Sequence, residues 1–196
     1  MSRSPAAKGG NLVSLLLAAI LLLAAASPVV AQEGGGWLQR WAAARELAAH
    51  ERLLDRIRSL KSGPTAFASD GCSGGFSTVW RAIAAQWPEF AQQHGQYPPV
   101  EPCCVTHDRA YHAIAGAGSA KESYLARLQA DQALRLCVAA TGGQRSAALA
   151  DLYGLSQPQV QLIYRQLAEA MFLAVRFGGG PCSGLSWRWG FGYPQC

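Results

Sequence analysis

Charge is scarce in this sequence. Of 196 residues, 17 are Lys or Arg and 12 are Asp or Glu, and no run of Lys and Arg occurs anywhere. A nucleic-acid partner is not expected, because that electrostatic footprint is missing. No internal repeat occurs, which excludes a solenoid or propeller array. Beyond residue 26 no stretch is apolar enough to span a bilayer, which excludes a multi-pass membrane protein. Histidine is also rare, four in all, so each one can be weighed individually as a base or ligand.

The one long apolar run lies at the start. Residues 12–26, LVSLLLAAILLLAAA, follow Arg3 and Lys8 and precede SPVVAQ, with small residues at Val29 and Ala31. A charged segment, an apolar segment and a small-x-small site read as a secretory signal peptide over 1–31, cleaved after Ala31. A membrane anchor is the rival reading, but the unbroken run is short of the ~20 residues that a span needs. The mature chain, 32–196, is then a secreted or periplasmic single domain of about 165 residues. Losing Arg3 and Lys8 takes 17 basic residues to 15 against 12 acidic, a net +3. That mild charge allows attraction to an anionic surface.

Export permits disulfides. All six cysteines, Cys72, Cys103, Cys104, Cys137, Cys182 and Cys196, fall in the mature chain. An even count suggests three bridges, drawn from about 15 connectivities.

Periodicity predicts a mainly α fold. Over 37–61, Trp37, Trp41, Ala44, Leu47, Leu54, Ile57 and Leu60 share a helical face, with Gly63 and Pro64 as the stop. A glycine-rich stretch, SDGCSGGFS, follows at 69–77, then a short helix over about 77–86 and a loop with Gly95, Pro98 and Pro99. Pro102 suits a first helical turn, in a helix running to about Ala115. Ser119 with Glu122 forms a capping box for the next helix, which is expected to stop at Gly142. A last helix covers 157–177, with Leu162, Ile163, Leu167, Phe172 and Val175 as its core face. The aromatic, glycine-rich tail reads as irregular or a short hairpin. In Trp37, Trp41, Trp187, Trp189, Phe191 and Tyr193, core packing is favoured over lipid docking.

The chemistry concentrates in PCCVTHDRAYH at 102–112. On a helix, Cys104, His107, Asp108 and Tyr111 are spaced by three, four and seven, so they share a face. Cys103 lies about 100° round from Cys104, so the adjacent cysteines bridge in two directions. If the next helix packs antiparallel, contacts keep a nearly constant sum of residue numbers. One packing then joins Cys103 to Cys137 and brings His107 to Asp131 about one turn away. Cys104 is left for Cys72, and Cys182 for Cys196. In that arrangement His107 is a candidate general base, and Asp131 fixes its tautomer and orientation. Asp108 and the carbonyls of SDGCSGG supply hard oxygen ligands, which describe a calcium site. A zinc site from Cys103, Cys104, His107 and His112 is the sharpest rival, weakened by divergent cysteines and by oxidation. His50, His94 and His112 are expected to be solvent-exposed bystanders.

CCVTHDRAY at 103–111 resembles the Cys-Cys-x-x-His-Asp-x-x-(Cys/Tyr) signature of the secreted phospholipases A2. The likeness extends to the DGC of the loop and to DQALRLC at 131–137, so it covers 70–137. It implies a disulfide-stapled helical domain on two antiparallel helices: 62–142 as the core with calcium loop and catalytic helices, and 143–196 as a C-terminal helix and Cys-closed tail. It implies calcium-dependent hydrolysis of the sn-2 ester of glycerophospholipids by a monomer at membrane or micelle surfaces. In that reading His107 takes a proton from water, Asp131 orients it, and Tyr111 hydrogen-bonds Asp131. Calcium polarises the ester carbonyl and is held by Asp108, Asp70 and Gly71, with Ser73 and Gly75 as further ligands. The loop DGCSGG has glycine where the animal enzymes carry a second cysteine, and it is closer to the bacterial and fungal relatives. The β-wing hairpin of the animal enzymes is not visible, and nothing specific is matched after Cys137. A catalytically silent binding or toxin-type module on the same scaffold is the alternative, as is another ester hydrolase with the same machinery.

Overall fold

In the computed structural model residues 35–196 are described; the expected signal peptide and its cleavage site lie outside them. Six α-helices follow in order: α1 (Gly35–Arg58), α2 (Phe76–Gln86), α3 (Pro88–His94), α4 (Glu101–His112), α5 (Ala120–Tyr153) and α6 (Gln157–Gly178). A short 3-10 turn, Ile114–Gly116, sits between α4 and α5. The chain is mainly helical, with no strand among the described residues. The tail is therefore a series of turns rather than a hairpin. No helix among the described residues is long and apolar enough to cross a membrane.

Local chemistry explains most boundaries. The Ser119 hydroxyl accepts from the Glu122 N–H while Glu122 reaches back to the Ser119 N–H, a complete capping box that starts α5. Ser156 and Gln159 repeat the device at the start of α6. Pro88, expected only to end α2, also opens α3, at a position where a helix needs no N–H.

Three sequence expectations are corrected. First, α5 does not stop at Gly142 but runs on to Tyr153. Gly142 is buried against α6, and a Cβ there would lie 2.3 Å from Tyr164 Cβ. Its role is to let two helices touch, and Gly154, at φ +65°, ends the helix instead. Second, α4 stops at His112, and Ile114 and Ala115 adopt left-handed φ of +51° and +48°. Such residues cost roughly 1 kcal/mol or more each. Burial of Ile114 offsets part of that. The tail also pairs with the helix end: Gly190 N–H donates to Tyr111 O at 2.7 Å, and Gly192 N–H to His112 O at 3.0 Å. Third, the buried stripe of α1 is Ala49, His50, Leu53 and Leu54, while Trp37 and Trp41 are exposed.

Two apolar clusters flank α4 and α5. One packs Val100, Leu134, Val138 and Ala168 around the disulfides, with Leu167 and Val175 of α6 against it. Leu162, expected in that core, is half exposed. The other gathers Leu53, Leu54, Tyr111, Ile114 and Trp189, with Phe191 and Tyr193 at its margin. The bridges are Cys72–Cys104, Cys103–Cys137 and Cys182–Cys196, and no cysteine is free. Chain-entropy reasoning assigns each about 3 to 4 kcal/mol. With every cysteine sulfur in a bridge, the zinc reading is excluded.

Candidate active site

The two neighbouring cysteines of α4 pin it on two sides, to α5 through Cys137 and to the glycine-rich loop through Cys72. One turn beyond Cys103–Cys137, His107 Nε2 meets Asp131 Oδ1 at 2.9 Å. One turn further, the Tyr111 hydroxyl donates to the same oxygen at 2.6 Å and accepts from Arg127 Nε at 3.1 Å. Residue numbers rise along α4 as they fall along α5, so the helices run antiparallel.

Asp131 is fully buried and His107 is 7% exposed. Burial alone would raise the Asp131 carboxyl, but the hydrogen bonds of His107 and Tyr111 and the nearby guanidinium groups outweigh it and hold Asp131 below the usual carboxylate range. An ionised Asp131 accepts the Nε2 proton of His107, which leaves Nδ1 as the unprotonated nitrogen. Nδ1 lies 3.9 Å from Asp108 Oδ1. Burial by itself lowers His107, yet Asp108 and Asp131 more than offset it, so its basicity is raised. Burial pushes the Tyr111 phenol far up, and it remains a donor.

His107 and Asp108 open onto a cavity of about 330 Å³. Its walls are apolar: Phe76, Leu134, Leu167, Met171, Val175 and Trp187. Ser73 and Gly74 of the loop line the same cavity. Such a slot suits a hydrocarbon chain beside a base.

The loop is held from behind. The Ser77 hydroxyl accepts from the Cys72 N–H at 2.8 Å and donates to Glu101 at 2.6 Å. Gly71 has φ +85°, and a Cβ there would fall 2.6 Å from Ser77 Oγ and 2.8 Å from the Glu101 carboxyl. Among the predicted metal ligands, Asp108 and Ser73 share the cavity. The Asp108 carboxylate accepts from Ser69 at 2.6 Å. The Gly71 and Ser73 carbonyls accept no hydrogen bond among the described residues. The Gly75 carbonyl instead accepts the Val79 N–H at 2.8 Å. The Asp70 side chain is exposed and takes the Ser73 hydroxyl at 2.9 Å. No cluster of three or more acidic, His or Cys side chains among the described residues can hold a metal. A cation here would rest on Asp108 and backbone carbonyls, a donor set whose chemistry suits calcium.

The bystander reading of the histidines is corrected. His50 is fully buried, with Nδ1 2.7 Å from Ser123 Oγ. His112 is buried between Phe67 and Phe191, and His94 is half-buried, with Nε2 2.7 Å from the Tyr153 hydroxyl. Sequence reading also missed two arginines. Arg176 Nη1 donates to Asp131 Oδ2 at 2.9 Å, and Arg127 Nε lies 4.0 Å from that oxygen. Arg127 precedes Asp131 by four residues on one helix, a spacing that could have drawn notice. Arg176 is 45 residues away and carries no local signal. No family model, curated protein or solved structure matches this chain.

Proposed function

We propose that this chain is an exported, calcium-dependent phospholipase A2, hydrolysing the sn-2 ester of glycerophospholipids. The observation that carries the reading is one arrangement: His107 Nε2 held by buried Asp131, with the His107 side chain lining an apolar cavity that Asp108 and the loop share.

His107 Nδ1 takes a proton from a water molecule as that water attacks the ester carbonyl. Asp131 stabilises the imidazolium that forms, and Tyr111 keeps Asp131 in place. The imidazolium then returns its proton to the departing glycerol oxygen, giving a free fatty acid and a lysophospholipid. The apolar walls receive the acyl chain and exclude water from it. Asp108 and the carbonyls of Gly71 and Ser73 would hold calcium, which when bound supplies Lewis-acid polarisation of the carbonyl. Leu173 and Phe177, at 51% and 87% exposure, lie on α6 beside pocket-lining Ala174 and offer an apolar rim to a lipid surface.

The test is fatty-acid release from phospholipid vesicles by oxidised 32–196, with calcium and with chelator, beside His107→Ala. Calcium-dependent release that disappears in the variant is expected. Calcium binding without release would identify a silent binding module instead.

A further inference from the structure

Asp131 is one corner of a closed ring of hydrogen bonds. Its Oδ2 accepts from Arg176 Nη1 at 2.9 Å. Arg176 Nη2 donates to Glu46 Oε2 at 2.6 Å. Glu46 Oε1 accepts from Arg127 Nη1. Arg127 Nε donates to the Tyr111 hydroxyl at 3.1 Å, and that hydroxyl donates to Asp131 Oδ1 at 2.6 Å, closing the ring. Four helices contribute: α1 through Glu46, α4 through Tyr111, α5 through Arg127 and Asp131, and α6 through Arg176.

The ring is balanced in charge, with two guanidinium groups between two carboxylates. Arg127 Nη2 also donates to the carbonyls of Val175 and Arg176, at 2.7 and 2.9 Å. Those belong to the last turn of α6, where the helix dipole favours a cation. Burial would raise the Glu46 carboxyl, but His50 and the two guanidinium groups outweigh it and hold it below the usual range. Glu46 is itself backed: His50 Nε2 lies 3.6 Å from Oε1, and the Ser123 hydroxyl that meets His50 Nδ1 also accepts the Trp189 N–H at 2.8 Å.

This layout constrains catalysis as well as fold. Both Asp131 oxygens are engaged, so the carboxylate has one orientation, with Oδ1 toward His107. Without the Glu46 charge, two guanidinium groups would be left against one buried carboxylate. Arg127 would keep its Tyr111 and carbonyl partners, but Arg176 would lose the acceptor that fixes how it meets Asp131. We propose that Glu46, on the N-terminal helix, is a positioning residue for the His107–Asp131 pair, acting through Arg127 and Arg176. The inference rests on the reaction proposed above.

Glu46→Gln keeps the shape and removes the charge, at a side chain 18% exposed. Arg176→Lys keeps a charge but cannot bridge Asp131 and Glu46 together. Each variant is compared with the oxidised wild type on phospholipid vesicles with calcium. In parallel, proton NMR follows solvent exchange of the His107 Nε2–H. Each variant should lower kcat by about tenfold or more at unchanged KM and calcium dependence, and speed that exchange. The double variant should be no worse than the poorer single one, since both act through one ring. A lowered melting temperature with wild-type kcat and exchange would make Glu46 a fastener and overturn the inference. If the wild type releases no fatty acid, the proposed reaction fails, and exchange alone decides: faster in Glu46→Gln supports the positioning, unchanged overturns it.

Discussion

Asp131 occupies Nε2 of His107, so chemistry at this histidine falls to Nδ1. His107→Ala should therefore abolish the proposed hydrolysis while the three disulfides keep the fold; retained full activity would refute the base assignment. The raised basicity of His107 is measurable directly. In calcium-free protein, its ring resonances should titrate above histidine's ordinary 6.5, because Asp108 and Asp131 outweigh its burial. A midpoint at or below that value would mean the two carboxylates do not face the ring together. Asp108→Asn should sharply weaken calcium dependence, and an unchanged calcium titration would place the cation elsewhere. These residues were legible because a helix repeats every 3.6 positions, which puts Cys104, His107, Asp108 and Tyr111 on one face. Arg176 was not, because its contact with Asp131 crosses 45 residues.

Elements were read best where a local device sets them. The Ser119–Glu122 box is complete within four residues, so the start of α5 could be read directly. Its end could not, because Gly142 and Gly143 look like a stop. The structure separates the two glycines. A Cβ at Gly142 would meet Tyr164 Cβ at 2.3 Å, whereas at Gly143 nothing lies within 4 Å. Gly143→Ala should thus stabilise by up to about 1 kcal/mol through helix propensity. Gly142→Ala gains the same propensity but forces α5 and α6 apart, at roughly 1 to 3 kcal/mol. Thermal melts should move in opposite directions for the two variants. Equal shifts would mean the helices do not touch there.

Across the whole molecule, the buried histidines tie stability to pH. Burial lowers the basicity of His50, so its neutral form is favoured in the folded state. Its contribution is present above the unfolded value near 6.5 and is lost as pH falls below it. His107, raised instead, contributes in the opposite sense and in the neighbouring window: its contribution is fully present below about 6.5 and is lost as pH rises above it, through the higher folded value. A His50→Gln comparison isolates the first effect. Between pH 7.5 and 5, the urea midpoint of the wild type should fall relative to that of the variant. A difference that does not change with pH would show that His50 is not held neutral.

The sequence by itself determined the mainly helical character, the Cys103–Cys137 bridge and the meeting of His107 with Asp131. Those depend on spacing along one or two neighbouring helices, and regular geometry converts spacing into contact. Only the tertiary structure decided that Trp37 and Trp41 face outward, that His50 is interior, and that Glu46 and Arg176 close a ring around Asp131. Those depend on where α1 and α6 lie against α5. That placement comes from packing apolar surface and matching buried charges across more than a hundred residues, between Glu46 and Arg176, which no local pattern encodes.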